Sequence, residues 1–373
     1  MTLLMRTADK TGAFGLVRST ARAQRRAAAA SPTGEPSAHA LFASAYVFAK
    51  YYWPERALPL LERARCRAER EQNWELEHAC RDGIGAVLKQ LGRYAESIEQ
   101  VAFGLALARR TLNPQAEATS LVNIAVAQMA LGQFEAAAHY LEVSAQIDAH
   151  FPRWPYRVYR HVNQGVLALL TGHLDDAAVA FERGLELATA VDLRPIAANC
   201  CAGLGLCAVQ LGELPELMRR TTCLRGLMSS HHWDFADRWM VEAAFAWNRA
   251  LNLRQPEQAL GDLVRAAAKL ARRDIDHWLR LKLQVVELSE RTCGVADTDA
   301  RNELLHLASR YGAAAIAKAA GGRHVAEQIP AKESSQLPPH DPDASSALRA
   351  RKQPALPPES QQGDPAAWQR PSA

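Results

Sequence analysis

Three residue patterns in this sequence could carry chemistry, and each would do something different. The stretch AGLGLCA at 202–208 has the form G-x-G-x-x-A of a loop that cradles a pyrophosphate. That use requires the glycines to follow a strand and open a helix. Here they fall inside an apolar helical pattern, in step with glycines elsewhere in the chain, so packing accounts for them, and GIGAVL at 83–88 falls the same way. His231, His232 and Asp234 offer metal-ligand atoms, but adjacent histidines on a helix point about 100° apart and chelate poorly. His139, His161 and His173 are scattered over turns and helix faces. The seven cysteines, at 66, 80, 200, 201, 207, 223 and 293, are odd in number and include no C-x-x-C pair. Neither a disulfide framework nor a zinc ribbon is expected from them, and inside apolar helical segments a free thiol acts as a small hydrophobe. No G-x-S-x-G, H-E-x-x-H or phosphate-loop signature occurs. The expectation is a protein with no cofactor, no metal and no catalytic residues.

Bulk properties narrow the classes further. A chain of 373 residues with 48% hydrophobic content can bury one large core or two ordinary ones. Its formal charge of +4 is small and local, because Arg6, Lys10, Arg18, Arg22, Arg25 and Arg26 face only Asp9 and Glu35 within the first 36 residues. The remainder is balanced, so nucleic acid is not an expected partner. No apolar run reaches the roughly 18–20 residues of a spanning helix. Cysteine usage suits a reducing compartment, and the expected location is cytoplasmic. The N-terminus is Arg-, Ala- and Ser/Thr-rich and acid-poor, which is also the composition of an organelle transit peptide. An organelle-targeted alternative therefore stands beside a loose basic arm.

The elements that must position any site are set by one period. LGRY at 91–94, LGQF at 131–134, TGHL at 171–174 and LGEL at 211–214 return every forty residues, and such self-similarity marks a repeat architecture. Each glycine lies between two segments with the 3.6-residue apolar period of an amphipathic helix. Leu121, Ile124, Ala125 and Gln128 form one stripe, and Ala137, Leu141, Ser144 and Ala145 form the next. The glycine ends the first helix in a left-handed turn at little steric cost. Small residues return in phase as well: Gly85, Ala125 and Gly165 before the turn, then Gly104, Ser144 and Gly184 after it. Extending the beat places turns at Asn252 and Thr292 and gives about seven helix pairs over 38–312. The fold class expected is all-α, an α-α superhelix of antiparallel pairs, on the order of 60–70 Å long if each pair touches only its neighbours. A flexible basic arm is expected at 1–37 and the repeat domain at 38–320. The tail at 321–373 holds nine of the 19 prolines and few aliphatics, a composition that favours disorder.

The order small residue, glycine, aromatic or bulky residue, alanine, bulky residue, small residue resembles tetratricopeptide repeats, best seen as Gly165, Gly172, Leu174, Ala177, Phe181 and Gly184. The repeat of that family is typically 34 residues. The longer period here is similar to the elongated repeats of kinesin light chains, bacterial peptide-sensing regulators and the sensor arms of maltose-type activators. The resemblance implies a concave groove that binds peptides, proteins or small effectors. It also implies a role for an asparagine two residues before the small position of the first helix, which bonds a ligand backbone; here these are Asn123 and Asn163, while Gly83, Gly203 and Ala243 interrupt the ladder. A side-chain amide offers both donor and acceptor. The other reading is that each asparagine bonds a neighbouring helix, as buried polar groups commonly do.

Tyr159, Asn199 and Trp239 lie on the same face one turn away, as ligand anchors or as core. Lys89, Arg249 and Lys282, with Asp82 and Glu242, sit further round, as a clamp or as a solvated face. The function expected is a non-enzymatic adaptor that holds a protein or peptide segment in its groove. The alternative is a regulatory sensor, in signalling, that responds to a small effector or peptide and acts through a partner.

Overall fold

Asparagine and proline start the helices and glycine stops them. Asn73 and Asn113 accept bonds from the backbone N–H groups of Leu76 at 3.1 Å and Ala116 at 3.0 Å, satisfying donors that a first turn otherwise leaves open. Asp274 and Asp297 cap later helices in the same way. Pro54, Pro114 and Pro256 open their helices, where a missing N–H removes no helical bond. Gly92, Gly132, Gly172 and Gly212 turn the chain at φ +73°, +72°, +80° and +77°, a conformation that costs a residue bearing a Cβ about 1–2 kcal/mol.

The computed structural model describes residues 36–50, 53–150, 157–228, 238–271, 273–294 and 297–321, with Ser19, Arg22, Ala23, Arg25, Arg26 and Ala29 before them. They build α1 Ala38–Lys50 and α2 Pro54–Arg70, α3 Trp74–Gln90 and α4 Tyr94–Arg110, α5 Pro114–Ala130 and α6 Phe134–His150. There follow α7 Arg157–Thr171 and α8 Leu174–Ala190, α9 Arg194–Leu211 and α10 Leu214–Met228, and α11 Arg238–Leu251 and α12 Pro256–Leu270. The last described helices are α13 Ile275–Cys293, α14 Thr298–Tyr311 and α15 Ala314–Gly321. Among the described residues there is no strand. Helices pack in chain order, giving seven pairs stacked as an α-α superhelix with α15 at the end. The expected arm and tail lie almost wholly outside the described residues, as do His231, His232 and Asp234.

Two details depart from the simple beat. Gln72, Leu112 and Asp192 take φ +54°, +51° and +51° in the turns between pairs, so the backbone repeats a left-handed step there without glycine. Near the C-terminus the turns come two residues late: the left-handed residues are Arg254 and Gly294, not Asn252 and Thr292.

The seams explain the small residues. Phe181 of α8 is fully buried and its ring is held on two sides by glycine. A methyl added to Gly165 of α7 would lie 2.7 Å from the ring, and one added to Gly203 of α9 2.6 Å from it. In the first strong pair, a methyl on Gly85 would lie 2.3 Å from Val101, and the Ser97 hydroxyl donates to the Gly85 carbonyl at 2.7 Å.

The sequence suggests pairs that touch only their neighbours, but the C-terminal helices return to early repeats. A methyl on Gly92 would meet the Tyr311 ring at 2.9 Å and Ile275 at 3.2 Å, and one on Gly132 would meet the Ala315 nitrogen at 3.3 Å. Tyr94, Ala130, Ile275, Leu279, Leu283, Leu304 and Ile316 share one buried cluster. Further along α13, Arg291 donates to the Val209 carbonyl at 3.0 Å and Trp247 donates to Gln284 at 2.8 Å. Thus α13 runs from the α3–α4 turn to the end of α9.

Two outcomes follow from this packing. Gly165→Ala should destabilise the fold by about 1–3 kcal/mol through overpacking; combined with Phe181→Leu it should lose less than the two single losses together, as read by chemical denaturation. Glu287 on α13 is the second case. Burial, opposed by Gln284 and reinforced by Glu290, pushes its carboxyl from 4.5 to about 7. The folded state therefore holds this proton more tightly, the penalty for ionising it grows as pH rises from 4.5 to 7, and it is complete above 7. Glu287→Gln should raise stability at pH 8 by about 1–3 kcal/mol and leave it unchanged at pH 4, as measured by melting across that range.

Candidate functional site

Residues of α5, α6 and α7 line a cleft of about 200 Å³. Ala118, Val122 and Tyr159 give it apolar surface, and Asn123 and Asn163 also line it. Asn123 donates one amide N–H to Asp82 at 3.3 Å, and Asn163 donates one to the carbonyl of Tyr159 at 2.8 Å. Each amide nitrogen is thus tied to the protein, which leaves the carbonyl oxygen as the acceptor for a further partner.

The floor is an ion pair that sequence reasoning missed. Asp148 and Arg160 are 3% and 8% exposed, with Nε donating to Oδ2 at 2.7 Å. Burial raises the Asp148 pKa against the pull of Arg160. Burial, with Arg160, Arg183 and Arg157 adding to it, drives His161 down to about 4. The available signal was an arginine beside Tyr159 on an inward stripe, with an aspartate at the end of the preceding helix.

Three of the residues singled out from the sequence, Asn123, Tyr159 and Asn163, therefore meet at one cleft. Asn199 is buried within α9 at 1% exposure. Trp239 is buried and carries the Arg280 guanidinium 5.2 Å from its ring centre. Lys89 lies 3.9 Å from Asp276, which Arg280 also bonds at 3.2 Å. Burial opposes the Asp276 charge, but Arg280, Lys89 and His277 outweigh it and hold its pKa at about 2. Lys89 and Trp239 are thereby engaged by α13. Arg249 pairs with Asp262 at 3.3 Å in a separate cleft of about 400 Å³ formed with Arg225, Glu242, Arg265 and Lys269. Lys282 bonds Glu303 at 2.7 Å.

The ladder is interrupted for a steric reason. Gly83 and Gly203 occupy the Asn123 position in their own repeats, and a side chain there would start 3.1 Å from Leu61 or 2.6 Å from Phe181. The preceding pair fills the place where an amide would stand.

A Ser–His–Asp cluster adjoins Asn123. His78 Nε2 lies 2.9 Å from the Ser120 hydroxyl, which donates to Asp82 at 3.0 Å. The order differs from a nucleophilic triad, in which aspartate orients the histidine through its other nitrogen. Here aspartate faces the serine and the same Nε2, and Ser120 is fully buried. Among the described residues no group of three or more His, Cys, Asp or Glu is placed to hold a metal ion, and no helix is long and apolar enough to cross a membrane.

The stacked antiparallel pairs define a helical-repeat solenoid. Residues 77–149 match the tetratricopeptide repeat family model, so the chain carries tetratricopeptide repeats where its beat is most regular. The crystal structure of apo RapI is similar at a TM-score of 0.51 and 14% identity, over 74% of this chain and 96% of that one. A Rap protein complexed with competence and sporulation factor has a TM-score of 0.46 at 14% identity, over 72% and 65%. BtubC from P. vanneervenii has a TM-score of 0.45 at 18% identity, over 59% and 92%. No curated protein matches in sequence.

The ion pair under the cleft has a measurable signature. Arg160→Met should cost about 3–5 kcal/mol, because it strands a buried carboxylate. Adding Asp148→Asn should recover most of that loss in urea denaturation.

Proposed function

We propose that this protein is a non-enzymatic interaction scaffold that holds an extended peptide or protein segment along its inner face at the cleft between α5, α6 and α7. The observation that carries this reading is the convergence of Asn123, Asn163 and Tyr159 on one mostly apolar cleft. Two amide carbonyls in its lining suit the N–H groups of an extended backbone of any sequence. The cavity accepts one apolar side chain between them. The tetratricopeptide repeats at 77–149 support the same reading.

A second reading has its own support. The Lys89–Asp276 and Arg280–Trp239 contacts tie α13 to the inner face. A ligand that displaced them would change how α13–α15 sit on the early turns and would make the scaffold a sensor acting through a partner. A small effector or a peptide would serve equally.

Peptides selected on the full chain from a displayed random library provide the test. Asn123→Ala with Asn163→Ala should weaken a selected peptide about 5- to 100-fold, the loss of two neutral hydrogen bonds. Unchanged affinity, or protection from hydrogen exchange away from α5 and α7, would remove the cleft from the proposal. Faster exchange in α13–α15 upon binding would favour the sensor.

A further inference from the structure

Each pair brings together the residues eleven before and eleven after its turn glycine, because antiparallel helices meet at equal distances from the turn. Around Gly92 these are Arg81 and Phe103, with the guanidinium 5.2 Å from the ring centre. Around Gly132 they are Leu121 and Val143, in one apolar cluster. Around Gly172 they are His161 and Arg183, whose charge acts on the imidazole. Around Gly212 they are Cys201 and Cys223, with sulfurs 3.4 Å apart.

That facing position holds two thiols only in the α9–α10 pair, and their surroundings are unequal. Cys201 is fully buried, and Cys223 is exposed on α10. Burial first, and the neighbouring sulfur second, push the Cys201 thiol up. Cys201 therefore keeps its proton, and Cys223 is the sulfur that meets an oxidant in solvent. A bridge needs the sulfurs at about 2.0 Å, so closing it shortens the present 3.4 Å separation between two helices already in contact.

We infer that Cys201 and Cys223 form a peroxide-sensitive dithiol pair that closes to a disulfide between α9 and α10. The Cys223 sulfur attacks one oxygen of hydrogen peroxide, the O–O bond breaks, and a sulfenic acid and one water result. The Cys201 sulfur then attacks the Cys223 sulfur, the S–O bond breaks, and the hydroxyl leaves with the Cys201 proton as a second water. Two thiols lose two electrons in total, and one peroxide gains them. The bridge ties the second helix of the pair to α9, which packs against α8, α10 and α11 and carries Gly203 beneath Phe181. This inference is independent of what the inner cleft binds.

The test uses the full chain, reduced and then exposed to a small excess of hydrogen peroxide. Denatured thiol titration should fall from seven groups to five, and peptide mapping should join Cys201 to Cys223. Dithiothreitol should restore all seven. Cys201→Ser should instead leave a dimedone-trappable sulfenic acid at Cys223, and Cys223→Ser should leave Cys201 reduced. Retention of every thiol would overturn the inference. So would pairing of Cys223 with Cys200 or with a second copy of the chain, or conversion of Cys223 to sulfinic acid while Cys201 stays reduced.

Discussion

A large side chain seated between two glycines sets how closely the helix pairs approach. Phe181 has Gly165 on one side and Gly203 on the other, and it belongs to neither of their helices. One ring therefore joins α7, α8 and α9 and passes the stacking step from one pair to the next. Glycine inside a helix costs about 0.5–1 kcal/mol relative to alanine, and buried aromatic area offsets this only if the backbones come close enough for contact on both faces. The same logic recurs as Gly85 against Val101 and as Gly83 against Leu61. Regular steps of this kind wind the pairs into a superhelix with an inner face.

The close approach also decides which inward positions remain open. Where Leu61 or Phe181 leans across, the next helix carries glycine and the preceding pair takes the space of a side chain. At Asn123 and Asn163 a side chain fits. The cleft beside them has an ion pair as its floor, Asp148 with Arg160, so its shape depends on two charges that must remain together. Helix α13 covers other residues of the first helices: its Asp276 and Arg280 engage Lys89 and Trp239.

Much of this was legible in the residues. The four glycine turns, the seven pairs, and the small positions at 85, 125 and 165 could all be read from spacing, because each depends on contacts within about forty residues. Asn123, Tyr159 and Asn163 line one cleft for the same reason. For Asn199 and Trp239 phase leaves ligand anchor and core both open, and both are buried. Phase gives the direction of a side chain from its own helix axis and says nothing of what comes to cover it. The left-handed steps at Gln72, Leu112 and Asp192 had no glycine to announce them.

The sequence by itself determined the brick: two amphipathic helices, a left-handed turn, and small residues at the seam, repeated at a fixed interval. These are local properties, and each repeat states them again. Only the tertiary structure decided where the stack meets itself. Ile275 and Tyr311 rest on the Gly92 turn, and Ala315 rests on the Gly132 turn. That contact depends on the twist accumulated over several pairs. A small rotation at each seam adds up to a large displacement at the end, and no single repeat encodes the total.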